Sequence, residues 1–282
     1  MQKPIKQDLS QKNVSKAVEQ LVLPVRQQND LLLENFIAGK NIALLTHVRT
    51  LLSVGASEKE PVNVSAQKSD KYASSSPNNK DVSLSSVNQQ IVYLHGSEGT
   101  GKTHLLLGAC KAAEAKSLRN QYIDLTQLVS MPSQIIEGIG KLDLIAVDNI
   151  QCIADNRDWQ IAIFDAINQF IEAGRLSQRA FIISANASVS QCQFSLPDLA
   201  SRLTWGTTYK LSELSEQDKF KALKTHLHQR GMNMGDDAVQ FLMKRSPRDM
   251  HRLMKMVDKL DSLSLQNQRK LTIPFLKDAL AL

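Results

Sequence analysis

From residue 90 onward, short apolar runs alternate with amphipathic stretches. The runs at 90–95, 120–125, 142–148, 180–185 and 206–210 have the length of buried strands. Between them, apolar residues recur at helical spacing and predict helices over 102–116, 130–138, 158–174 and 196–203. Strands alternating with helices predict an α/β fold, a parallel five-stranded sheet sandwiched by helices. Beyond about residue 212 the strand pattern stops. Helical spacing continues through 215–230, 235–245, 247–262 and 274–281, with Pro247 and Pro274 in first-turn positions and Gly231 at a helix end. A small all-α domain is therefore expected over 212–282.

The chain before residue 90 is patterned differently. Residues 1–28 form a leader, rich in Gln, Lys, Ser and Asn through residue 19 and expected to be flexible. A short apolar island, Gln20-Leu21-Val22-Leu23-Pro24-Val25, interrupts it. Next come Asn35-Phe36-Ile37-Ala38-Gly39 and a helical pattern through Leu44, Leu45, Val48, Leu51 and Leu52. These are assigned to the α/β domain, 29–211. Residues 53–88 are dominated by Ser, Asn, Lys and small residues and read as a flexible insertion within that domain.

Composition changes this picture little. The 282 residues are 42% hydrophobic and 22% charged, ordinary globular values. A net charge of +6 permits contact with nucleic acid or an acidic protein without requiring either. The locally basic stretches, 210–224 and 244–259, read as solvated helix faces. Cys110, Cys152 and Cys192 are far apart, with no CxxC or Cys/His ligand spacing, so neither a zinc site nor a disulfide framework is indicated and a reducing compartment fits. The N-terminus lacks the apolar core of a secretory signal, and no apolar run approaches membrane-spanning length. A cytoplasmic protein without membrane contact is expected.

The chemistry concentrates in Gly96-Ser97-Glu98-Gly99-Thr100-Gly101-Lys102-Thr103. It follows the run Ile91-Val92-Tyr93-Leu94 and opens into His104-Leu105-Leu106-Leu107. That strand–loop–helix context makes G-x-x-x-x-G-K-[ST] a credible P-loop. Gly96, Gly99 and Gly101 let the backbone wrap closely, so that successive N–H groups through Thr100, Lys102, Thr103 and His104 can point at phosphate oxygens at a helix N-terminus. Lys102 is expected to reach the terminal phosphates and the Thr103 hydroxyl to ligate Mg²⁺. Asp148 ends the apolar run Ile145-Ala146-Val147, the place for a second Mg²⁺ ligand. Asp143, at the start of that strand, reads as structural. Asn149 stands where many such ATPases carry a second carboxylate, and an amide cannot accept a proton from water. Slow hydrolysis by the chain alone is expected. Ser184 and Asn186 fall near the γ-phosphate if the strand before them lies beside the P-loop strand; a turn role for Asn186 stays open. Arg202 ends a short helix and reads either as a helix cap or as an arginine finger for a neighbour's nucleotide. Arg248, after Pro247, reads either as a cation reaching back over the nucleotide or as a solvated ion-pairing group, with Arg252 one turn on.

These elements in this order resemble the AAA+ superfamily, more narrowly its DnaA-related clade, and within that the Hda regulators of DnaA. The last likeness is carried by Asp148-Asn149-Ile150-Gln151-Cys152-Ile153-Ala154, by residues 196–206 and by Arg269-Lys270-Leu271-Thr272-Ile273-Pro274-Phe275. The resemblance covers 20–52 and 89–282. It implies that residues 35–39 are an N-terminal linker whose Phe36 contacts adenine, that Asn186 is sensor 1, that Arg202 is an arginine finger acting in trans and that Arg248 is sensor 2. It also implies that residues 20–25 are similar to the motif that docks on the DNA polymerase III β sliding clamp. Gln20 would enter a polar subpocket, Leu21, Leu23 and Val25 apolar ones, and Pro24 would keep the peptide extended. Ala187, where relatives often carry Arg, the small Val25 and the insertion 53–88 depart from the pattern.

The resemblance further implies a bound ADP or ATP with Mg²⁺, and DnaA and the clamp as partners. The implied function is to stimulate hydrolysis of DnaA-bound ATP and so prevent re-initiation, with weak or no ATPase activity of its own. DNA contact is expected to be weak or indirect, and homo-oligomerisation stays open. Two other readings compete. A DNA-binding initiator would be expected to carry a helix-turn-helix domain after the helical lid, where this sequence stops at Leu282. A helicase loader or motor would need efficient hydrolysis, against which Asn149 counts.

Overall fold

The computed structural model describes residues 31–53, 89–173, 179–245, 250–267 and 271–280. Residues 20–25, Arg248 and all of the insertion except Ser53 lie outside the described residues. In chain order the main elements are α1 (Ile42–Ser53), β1 (Ile91–His95), α2 (Lys102–Glu114), β2 (Asn120–Asp124), β3 (Leu144–Asp148), α3 (Arg157–Glu172), β4 (Ala180–Ala185), α4 (Pro197–Trp205) and β5 (Thr207–Lys210). The helices α5 (Glu216–Gln229), α6 (Asp236–Arg245), α7 (Met250–Asn267) and α8 (Ile273–Leu280) follow.

The strands form one parallel sheet in the order β2-β3-β4-β1-β5. β4 is inserted between β1 and β3, which creates a crevice at the carboxyl ends where strand order switches. Register decides what meets there. Asp124 lies opposite Asp148, and Leu94 lies opposite Ser184, so the polar strand ends share one edge.

Alternation along the strands feeds two apolar layers. Tyr93, Ile145, Val147, Phe181 and Ile183 pack against Trp159, Ile163, Ile167 and Phe170 of α3 and Leu199 and Leu203 of α4. Val92, Leu94, Ala146 and Ile182 point the other way, onto α1 and α2 through Leu44, Val48, Leu105, Leu106 and Ala109. Each large side chain fully withdrawn from water adds about 1.5–3 kcal/mol of driving force. A separate core, including Leu223, Leu227, Val239, Leu242, Val257, Leu260 and Leu276, joins α5 to α8. The bulk of each layer is thus a consequence of helical or alternating apolar spacing in one element meeting that in another.

Helix starts follow their local chemistry. Asn156 caps α3 by accepting from the Trp159 N–H at 3.2 Å, and Ser215 caps α5 by accepting from the Asp218 N–H at 3.1 Å. Pro197 opens α4, where its missing N–H costs nothing.

The expected helix over 130–138 is not formed. The segment folds as two 3₁₀ turns, Ser133–Ile136 and Ile139–Lys141, after a one-turn helix at Leu125–Leu128. Pro132 cannot donate a helix hydrogen bond, and Gly138 takes a left-handed φ of 80° that ends any helix. The second turn then presses on α3 so closely that a Cβ at Gly140 would sit 2.5 Å from the Gln169 Cβ. Buried Arg179 ties this corner together. It donates to the carbonyls of Gly140, Leu142 and Phe170 at 2.5, 2.8 and 2.9 Å and stacks 4.4 Å over the Phe170 ring. Among the described residues, no helix is long and apolar enough to cross a membrane.

Candidate functional site

The loop between β1 and α2 has the shape its glycines allow. Gly99 and Gly101 adopt left-handed φ angles of 76° and 93°, and Gly101 is the N-cap of α2. Gly101 is doubly constrained, because a Cβ there would also lie 2.9 Å from the Phe36 ring. Phe36 packs over the loop and meets His104 edge-on, with ring centroids 5.5 Å apart. The His104 Nε2 lies 2.9 Å from the Leu32 carbonyl, so the strap before α1 is held down on the first turn of α2. Burial holds the His104 pKa below its ordinary value, against the opposing pull of that carbonyl.

Lys102 is buried at the centre of the loop. Its Nζ donates to the carbonyls of Gly96 and Ser97, both at 2.8 Å. Burial lowers its pKa, while the carboxylates of Asp148 and Glu98 oppose the shift. The ammonium is therefore satisfied by its own loop.

Asp148 organises that strand end. It is fully buried. One carboxylate oxygen accepts from the Thr103 hydroxyl at 2.7 Å and from the Tyr122 hydroxyl at 2.9 Å. The other accepts from the Ser184 hydroxyl and from the Asn149 N–H at 3.1 Å. Burial pushes the Tyr122 phenol far up, with the adjacent Asp148 charge acting in the same direction. Asn149 sits at a left-handed φ of 61°, and its amide donates to Asp124 at 3.1 Å. Against partial burial, hydrogen bonds from Thr126 and Asn149 hold the Asp124 carboxyl below its ordinary range.

The P-loop strand and the strand carrying Ser184 are neighbours. Ser184 is buried on Asp148, whereas Asn186 is exposed just beyond β4, with its N–H donating to the Gln151 side chain at 3.2 Å. Asp143 pairs with Arg119 at 3.0 Å, far along the strand from Asp148, and is a structural ion pair.

A cleft of about 410 Å³ separates the loop from the helical domain, lined by Ser97, Glu98, Gly99, Glu213, Lys219 and Met250 among others. Ser97 donates to Glu213 across it at 3.1 Å. Beside it, Asn41 clamps the strap to the domain junction: its side chain donates to the Ser212 carbonyl at 3.0 Å and accepts from the Ser212 N–H at 2.8 Å.

Arg202 is placed elsewhere, on α4. It lies in the last turn of α4, where a cation is favourable, and its guanidinium stacks 4.0 Å over the Trp205 ring and lies 5.9 Å from that of Phe164. Trp205 is 41% exposed and Ile161, one turn before Phe164 on α3, is 42% exposed, so this edge has an apolar surface around a cation.

Sequence reasoning passed over Tyr122, Glu213 and Lys219. Tyr122, in the mostly polar strand β2 and two positions before the partner of Asp148 in the register, is marked only once the pairing of β2 with β3 is known. Glu213 and Lys219 carry no local signal, because they reach the loop only through the packing of the two domains.

The chain is similar to known proteins in two segments. Residues 79–210 match the bacterial DnaA ATPase domain, and residues 216–280 match the Hda lid domain. An uncharacterised protein of Haemophilus influenzae is 34% identical over 268 residues, covering 94% of this chain and 99% of that protein. In solved structures, the fold is similar to domain III of the Thermotoga maritima replication initiation protein DnaA, with a TM-score of 0.65 and 17% identity, over 89% of this chain and 96% of that one. It is also similar to AMPPCP-bound DnaA from Aquifex aeolicus, with a TM-score of 0.58 and 20% identity, over 87% of this chain and 67% of that one.

Proposed function

The chain belongs to the Hda-like branch of the DnaA-related AAA+ proteins, and we propose that it regulates DnaA by holding an adenine nucleotide of its own and lending an arginine to another. ADP or ATP lies in the P-loop, with its phosphates on the N–H groups before α2 and its adenine toward Phe36 and the strap. Thr103 and Asp148 offer adjacent hard oxygens, which suit Mg²⁺. When bound there, the ion neutralises phosphate charge. Lys102 exchanges its loop carbonyls for phosphate oxygens. Asn149 and Asp124 engage each other and provide no free base in line with an attacking water, so the nucleotide is consumed slowly. Its main effect is to fix the two domains relative to each other.

The observation that carries this reading is the setting of Arg202. Its partners in its own subunit are the exposed Trp205 ring and the half-buried Phe164 ring rather than a carboxylate, and it is not part of the cleft beside the P-loop. A guanidinium held that way is available to the γ-phosphate of ATP bound by DnaA, where charge builds up during hydrolysis. Residues 20–25 dock on the DNA polymerase III β sliding clamp, and Arg248 contacts the chain's own nucleotide. The outcome is ADP-bound DnaA and no second round of initiation.

The test is hydrolysis of DnaA-bound ATP in the presence of clamp loaded on DNA. Native protein is expected to stimulate it, Arg202→Ala to remove stimulation while still binding nucleotide, and Gln20→Ala to weaken stimulation in a clamp-dependent way. Undiminished stimulation by Arg202→Ala would overturn the reading.

A further inference from the structure

Lys219 stands out among the charged groups that the mechanism does not use. It is 5% exposed, and lysines are almost never buried to that degree unless paired, because the ammonium is strongly hydrated. It also sits in the first turn of α5, near the positive end of the helix dipole, where a cation is unfavourable. The stability of α5 therefore does not account for it. Glu216 and Asp218 occupy the favourable acidic positions of the same turn.

Its surroundings point to an anion. Lys219 lines the cleft between the helical domain and the tip of the P-loop, together with Ser97, Glu98 and Gly99. Glu98 and Glu213 line the same cleft and repel a phosphate chain, and Lys219 offsets them from the helical-domain side, beyond the contact given to Arg248 above. Lys102 belongs to the same loop and donates to the carbonyls of Gly96 and Ser97, the second of which lines the cleft with Lys219. One carboxylate paired with Lys219, at 3.2 Å, belongs to Glu216, whose side chain is 66% exposed. A pair with one partner so open to water is weak and easily exchanged.

We propose that Lys219 is a nucleotide-binding residue supplied by the helical domain, releasing Glu216 to contact the β-phosphate of a nucleoside diphosphate held in the P-loop. The proposal rests on the P-loop reading above and adds a contact that couples nucleotide binding to the position of α5. The Ser97–Glu213 hydrogen bond already joins loop and helical domain at one point. A phosphate shared by Lys102 and Lys219 joins them at a second.

The experiment is calorimetric titration of the full-length chain with MgADP and with AMP, for native protein, Lys219→Met and Lys219→Arg. One charge-assisted contact corresponds to roughly a tenfold change in affinity. Lys219→Met is expected to bind MgADP about tenfold more weakly, to bind AMP as native does, and to keep the melting temperature of the nucleotide-free protein. Lys219→Arg is expected to recover most of the MgADP affinity. Equal MgADP affinity for Lys219→Met and native would overturn the proposal. So would an equal loss for MgADP and AMP with a lowered melting temperature, which assigns Lys219 to packing. Lys102→Ala separates the two levels: if it binds MgADP as native does, the P-loop reading itself fails, whatever Lys219 does.

Discussion

The carboxyl edge of the sheet and the outer edge of α4 handle polar groups in opposite ways. Around Asp148, hydroxyls and a backbone N–H converge on one fully buried carboxylate. Around Arg202, a single cation lies on one exposed ring, Trp205, and beside the half-buried ring of Phe164. Buried polar groups that all have partners are rigid and costly to disturb. A cation stacked at the surface contributes little to folding, since exposed cation–π contacts give about 0.5–1 kcal/mol. The first arrangement suits a ligand held within the subunit. The second suits a group used by a neighbour.

The sharpest way to break this comparison is Arg202→Ala. Stimulation of DnaA-bound ATP hydrolysis is expected to fall by roughly 10³–10⁵-fold, the range for an arginine finger. Unfolding free energy in urea should stay within about 1 kcal/mol of native. A large loss of stability with intact stimulation would reverse the assignment of the two edges.

Asp148→Ala is the converse. It removes the acceptor shared by Thr103, Tyr122 and Ser184. Thr103 is exposed and can turn to water, so the cost falls on the half-buried Tyr122 hydroxyl and on the O–H of buried Ser184, which keeps only its bond from the Asn149 N–H. Each such group costs about 1–3 kcal/mol, partly relieved by water entering the space. A net destabilisation of about 2–4 kcal/mol is expected in urea unfolding, together with loss of Mg²⁺-dependent nucleotide affinity. Tyr122→Phe tests the same network more gently and should cost about 1 kcal/mol.

What the sequence revealed follows the range over which each signal acts. Strand and helix periodicity is local, so all five strands and the helices α2, α3 and α4 between them were readable to within a few residues. The P-loop was readable because its glycines, Lys102 and Thr103 are contiguous. The segment 130–138 misled because its apolar spacing is helical, while Pro132 and Gly138 forbid the helix. Tyr122 reaches Asp148 across a strand pairing, and Lys219 reaches the cleft across a domain junction. Neither distance is encoded in neighbouring residues. Arg202 shows a third case: its position at the end of a helix was legible, but the rings that its guanidinium stacks on, Trp205 and Phe164 from another helix, were not.

Gly101→Ala probes how tightly the P-loop edge is closed. The substitution meets two penalties at once, a left-handed φ of 93° and a contact 2.9 Å from the Phe36 ring. Backbone strain of this kind costs about 1–3 kcal/mol, and Phe36 must move in addition. Stability should fall by that amount, and MgADP affinity with it. Phe36 is a core residue, so the clash is isolated by making Gly101→Ala in a Phe36→Ala background. There it should cost less than in native protein, by the part due to the ring contact, while the φ strain remains. No cost in that background would mean that the ring contact, not the turn, requires glycine.

The smallest expected effect is a pH dependence at the strap. Burial depresses the His104 pKa below its ordinary value of 6.5. The native state therefore favours neutral imidazole, while the unfolded chain takes up a proton first as pH falls. By linkage, the contribution of His104 to stability is fully present above 6.5 and is lost as pH drops from there toward its lower native pKa. The strap should loosen over that window, since the ring that contacts Phe36 and the Leu32 carbonyl is the one being charged. His104→Gln keeps an amide donor for that carbonyl and cannot titrate. Its unfolding free energy should fall less steeply than that of native protein between pH 7 and pH 5. His47 has a pKa lowered in the same direction by burial and remains in both proteins, so a residual slope is expected and only the difference reports on His104. No such difference is expected for Arg202→Ala over the same range, because a guanidinium stays charged throughout. Identical slopes for His104→Gln and native protein would show that the strap is not held closed through this ring.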